Sequence, residues 1–203
     1  MKQKLAKLCR STAWALFVGA AAGAVAAEHE HRHGAVVAGQ AQRSEICLRL
    51  PQQSLVGQDG RRVRFPEVID DGRPVLLNFI YTTCTAICPP MSQIFSAVQT
   101  RLGADQGRVL MVSVSIDPEQ DTPARLREYG RLFGAGPQWL FLTGTARASR
   151  AVQEGFDVYR PDKMAHTPVS FLRGAPGQAW LRMDGFATAD DLVAELRRML
   201  AGK

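Results

Sequence analysis

The sequence predicts an α/β protein whose sheet is parallel at its centre, with a β-hairpin at the front and an antiparallel edge at the back. Three observations carry this. Two continuous apolar runs, one opening at Val75 and one spanning Val109–Ile116, have the pattern of strands buried on both faces beneath helices. Each is followed by apolar residues at helical spacing, the alternation that makes a parallel centre. Near the C-terminus two short strand-like runs, Val169–Leu172 and Ala179–Met183, flank the turn Gly174-Ala-Pro-Gly177.

Taken in order, the 203 residues suit one domain of ordinary size with short extensions. Residues 1–27 read as an export signal. A basic start precedes an apolar stretch from Ala13 to Val25, which closes on the small residues Ala24-Val-Ala-Ala27. The stretch is shorter than the roughly 20 apolar residues that span a bilayer. Cleavage is therefore expected, and an uncleaved leader anchoring the chain to the membrane is the alternative. Either way the protein works in the periplasm or another oxidising, extracytoplasmic space. The formal charge is +6, but Lys2, Lys4, Lys7 and Arg10 account for four of those charges and leave +2 for the rest. The basic character belongs to the leader, and no nucleic-acid partner is expected.

Residues 28–44 read as a His-rich tail and linker. His29, His31 and His33 stand at alternate positions, and such tracts either bind metal or form a plain polar tail. Cleavage after Ala26 would leave a free amine with histidine in third position. That arrangement wraps Cu(II) in a plane of four nitrogens and would make a second copper site. Residues 45–203 form the expected domain. Cys47, near its start, is expected to be a small buried hydrophobe.

The domain opens with the hairpin Ser54–Val56 and Arg62–Phe65 around Gln58-Asp-Gly60. After the run from Val75, Pro89 and Pro90 mark a helix start, because proline is tolerated only in a first turn. Met91, Ile94, Phe95, Val98 and Leu102 then recur at helical spacing until Gly103. Pro123 starts a second helix with Thr122 or Asp121 as its cap. Trp139–Leu142 is a third strand, and Ala146–Glu154 a short helix. A closing amphipathic helix runs from Thr188 or Ala189 to Leu200.

Cys84 and Cys88 fall in the connection between the central strand and its helix, where exposed backbone N–H groups favour thiolate over thiol. A strand, a two-cysteine turn and a helix inside this order resemble a thioredoxin-like fold. His166 lies directly before a late strand, in the loop that faces the cysteine turn in such a fold. Two thiolates and one imidazole make a soft, low-coordinate set suited to Cu(I), and able to take Cu(II) with a fourth ligand. A structural zinc site would be closed by a fourth protein ligand, and none is evident. Asp117 and Asp121 sit at the carboxyl end of the second buried strand, where α/β proteins place functional groups, and are candidates for supporting the site.

Thr82-Thr-Cys84-Thr-Ala-Ile-Cys88-Pro89, Ser115-Ile-Asp-Pro-Glu-Gln-Asp-Thr-Pro123 and His166-Thr together resemble the Sco/SenC family of thioredoxin-like copper chaperones. The resemblance implies copper ligation by Cys84, Cys88 and His166. It implies delivery of copper to the dinuclear copper site of a cytochrome c oxidase, or reduction of that site's cysteines. The partners it implies are the copper-bearing subunit of the oxidase or another cuproprotein, and a thiol reductant protein. The expected chaperone has no turnover of its own. A thiol–disulfide oxidoreductase using the Cys84/Cys88 redox pair is the alternative. A peroxidase would need a Thr-x-x-Cys nucleophile, and Tyr81-Thr-Thr-Cys84 lacks that threonine.

Overall fold

The two apolar runs form the centre of the sheet. In the computed structural model, which describes residues 41–202, every residue of β4 (Val75–Ile80) and of β5 (Leu110–Ser115) is buried. Their parallel pairing runs from Val75↔Leu110 to Ile80↔Ser115, and β6 (Trp139–Thr143) continues it on the far side of β5. The late hairpin is β7 (Val169–Arg173) and β8 (Trp180–Asp184); β7 pairs antiparallel with β4. The front hairpin, β2 (Ser54–Gly57) and β3 (Arg62–Arg64), turns at Gly60 with φ 84° and joins the sheet antiparallel to β6. With β1 (Gln42–Ile46) at the other end, it completes an eight-stranded sheet in the order β1-β8-β7-β4-β5-β6-β2-β3. This is the expected thioredoxin-like arrangement with its hairpin extension.

Period-two alternation sends the β4 side chains to two cores. Leu76 and Ile80 pack against α2 (Cys88–Leu102), α3 (Pro123–Leu132) and α5 (Ala189–Ala201), through Phe95, Leu126 and Leu196. Leu77 and Phe79 face the other side, where α1 (Phe65–Ile69) and α4 (Ala146–Gly155) close a second core. Phe156 is its hub, edge-on to Phe65, Phe79, Phe171 and Trp180 at 5.0–6.1 Å. Thr122 caps α3 by accepting from the Arg125 N–H at 3.3 Å, and Thr188 caps α5 in a reciprocal box with Asp191.

The structure differs from the sequence reading at three places. Strand β1 (Gln42–Ile46) begins inside the stretch read as linker and pairs with β8. Its first four residues are exposed and polar and only Ile46 is apolar and half-buried, so it has no apolar alternation to read, and β8's open edge supplies the reason it is a strand. Phe65 belongs to α1, not to the hairpin arm, because Pro66 starts a helix there. Cys47 is exposed, not buried, directly after the edge strand β1, while its neighbours Ile46 and Leu48 turn to the core. The leader and His29, His31 and His33 lie outside the described residues.

Candidate metal centre

The cysteine turn is fixed from both ends. Cys88 is the first residue of α2, and Pro89 and Pro90 fill positions whose N–H groups would have no helical partner. Cys84 sits four residues earlier, its N–H donating to the Tyr81 carbonyl at 3.1 Å. The Cys88 N–H in turn points at the Cys84 sulfur, 3.4 Å away. Both thiols are nearly closed to solvent, at 5% and 1% exposure.

Their acidities diverge. Burial works to raise the Cys84 thiol, but hydrogen bonds from the Cys88 and Ala86 backbone, the Cys88 thiol and the Tyr81 hydroxyl win, and it ionises more readily than an ordinary thiol. Burial pushes the deeper Cys88 well above the usual thiol range, and the neighbouring Cys84 charge adds to this. The Tyr81 hydroxyl, raised to about 12 by burial and by Cys84, stays protonated and donates. Cys84 is therefore the more readily ionised of the two, and Cys88 the one that keeps its proton.

Two aspartates hold the two approaches to the site. Asp121, fully buried, accepts from the Thr82 hydroxyl at 2.6 Å, the Thr82 N–H at 3.1 Å and the Ser115 hydroxyl at 2.6 Å. It fastens the residue two before Cys84. Asp117 takes the Lys163 ammonium at 2.6 Å and so fastens the loop three residues before His166. Thr122 takes the capping duty, which leaves Asp121 for this role.

His166 is 8% exposed, and its Nε2 lies 3.1 Å from the Phe79 carbonyl. A carbonyl only accepts, so Nε2 carries the proton and Nδ1 keeps the lone pair. Burial lowers the imidazole's basicity and keeps it neutral. The structure thus brings His166 against the strand that leads into the cysteine turn. Among the described residues no three His, Cys, Asp or Glu side chains are already gathered around one point. Cys84 and Cys88 are together; His166 is held at the Phe79 carbonyl, on the strand that leads to them, and does not join the set. Thr82 and Ser115 stood in the motifs without a role, and Tyr81, Lys163 and Met164 carried no sequence signal of their own, because their contacts bridge distant segments.

Residues 50–201 match the family model described as SCO1/SenC. A SCO1 protein homolog of Bacillus subtilis is 29% identical over 150 residues, covering 69% of this chain and 77% of that one. Protein SCO1 homolog 1, mitochondrial, of Arabidopsis thaliana is 32% identical over 107 residues, 52% of this chain but 31% of that longer protein. Among solved structures, Bradyrhizobium japonicum ScoI with copper bound superposes with a TM-score of 0.61 at 26% identity, covering 80% of this chain and 99% of that one.

Proposed function

From the premise that the chain belongs to the SCO1/SenC family, we propose that it is an extracytoplasmic copper chaperone carrying its cargo on Cys84, Cys88 and His166. The observation that carries this reading is the donor set itself. One thiol is poised to ionise, a second is shielded beside it, and a neutral imidazole has its free nitrogen fixed by a backbone carbonyl. Such a set suits Cu(I), and an imidazole oriented through its other ring N–H is the usual form of a metal-ligating histidine. Nε2 keeps the Phe79 carbonyl while Nδ1 takes the metal. Binding expels the Cys88 proton, which the buried thiol otherwise retains.

The cargo's destination is the dinuclear copper site of a cytochrome c oxidase, or another cuproprotein, with a thiol reductant keeping the pair open. BsSco, described as a member of the Sco family of cytochrome c oxidase assembly proteins, has the same fold at 26% identity and a TM-score of 0.61. The leader of residues 1–27 delivers the chain across the membrane, and an intact mass of the exported protein reads where it is cut. A start at Ala27 would leave His29 in third position and permit a second, Cu(II)-selective site with His31 and His33; a start at Glu28 would not.

A second reading has its own support in the unequal thiols. A readily ionised Cys84 beside a shielded Cys88 can act as nucleophile and resolving partner. Cys84 would attack one sulfur of a client disulfide, and Cys88 would then displace the client. The Cys84–Cys88 disulfide forms as the client gains two thiols. Measuring the pair's reduction potential with and without Cu(I) separates the readings. A metal that holds thiolates stabilises the reduced form, so the copper reading expects a higher (less negative) potential with Cu(I) present. An unchanged potential favours the oxidoreductase.

A further inference from the structure

Among the described residues two large apolar side chains are strongly exposed, Leu132 at 76% and Met164 at 71%. Leu132 borders a shallow cleft beside Thr82 and Thr83 and carries no donor. Met164 is different, because its sulfur is placed. The Tyr81 hydroxyl donates to the Met164 Sδ at 3.4 Å and is also hydrogen-bonded with Cys84. One hydroxyl therefore stands between an exposed thioether and a buried thiol. The segment that carries Met164 is pinned immediately before it. Lys163 is paired to Asp117 and lies 5.5 Å over the Tyr81 ring, and the Met164 N–H donates to the Asp162 carboxylate at 2.9 Å.

We propose that Met164 is the receiving ligand for Cu(I), taking the ion at the surface and passing it across Tyr81 to Cys84. The inference rests on the copper reading above. A thioether is a soft, uncharged donor that binds Cu(I) without losing a proton, which suits a ligand that must also let go. Cys84 and Cys88 are too enclosed to meet a bulky copper donor directly. In the first exchange a Cu–Sδ bond forms as one bond to the donor breaks. In the second a Cu–Sγ bond to Cys84 forms, the Cu–Sδ bond breaks, and any proton still on the thiol leaves to solvent. Copper remains Cu(I) throughout, so no electron acceptor is required. The Tyr81 hydroxyl has one proton, and serving Cys84 frees the Met164 lone pairs.

The test follows Cu(I) transfer from its coloured bicinchoninate complex to the reduced full chain, in both directions. Met164→Leu keeps the apolar bulk and removes the sulfur; Met164→Gln keeps the length and removes both sulfur and apolarity. Uptake and release are expected to slow together by about tenfold in both variants, equivalent to about 1.4 kcal/mol on the barrier, while the equilibrium affinity stays that of the parent. Transfer by Met164→Leu within about twofold of the parent overturns the relay, whatever Met164→Gln does, because only the sulfur was proposed to act. A loss of affinity by the same factor, with release not slowed, overturns it too, since Met164 would then be a resident ligand. No uptake by the parent chain overturns the copper reading itself.

Discussion

An amide N–H aimed at a sulfur favours the thiolate, and Cys84 has such neighbours in Cys88 and Ala86, whereas Cys88 has mostly apolar core around it. Alkylation of the copper-free, reduced chain is therefore expected to label Cys84 first. Its rate should level off at a lower pH than that of an ordinary thiol. Peptide mapping of the first adduct across pH checks both points; equal labelling would contradict the assigned roles. His166 has an opposite sensitivity. Its imidazole titrates below the ordinary value because it is buried, so below about pH 6.5 the unfolded chain takes a proton that the native chain resists. Stability of the copper-free protein is expected to fall as pH drops through that point. His166→Gln, which can still donate to the Phe79 carbonyl, should flatten the fall, read from denaturation midpoints at several pH values. Asp121 has three donors aimed at it and no cation, so Asp121→Asn turns an amide toward donors. A cost of about 1–3 kcal/mol in denaturant unfolding is expected, together with weaker copper retention as Thr82 loosens.

At the scale of elements, the start of α2 was legible because two prolines after a cysteine leave one place for a first turn. The caps at Thr122 and Thr188 were legible from local chemistry. The contacts that steady the site were not. Asp121 reaches Thr82 across 39 residues and Asp117 reaches Lys163 across 46, and no local period encodes such pairs. The Lys163 side chain is 43% exposed, so its ion pair contributes little to global stability, about 0–1 kcal/mol. Its consequence is local. Lys163→Ala is expected to leave the unfolding midpoint nearly unchanged while amide exchange quickens in residues 160–166. Unchanged exchange there would mean the pair does not hold the His166 loop.

For the whole molecule, two buried parallel strands, a cysteine turn at the carboxyl end of one and a histidine before a late strand were enough to anticipate the architecture and to nominate Cys84, Cys88 and His166 as donors. What residue types could not show is how near the donors stand to closure. The structure sets the thiols side by side and fastens His166 to the Phe79 carbonyl, while among the described residues the three side chains are not gathered around one point. The most direct test is copper K-edge absorption on the reduced chain loaded with one Cu(I). Two sulfur scatterers and one nitrogen scatterer per copper are expected, with the nitrogen lost in His166→Ala and one sulfur lost in Cys88→Ser. A spectrum with sulfur alone, or one that His166→Ala leaves unaltered, would contradict the three-donor site.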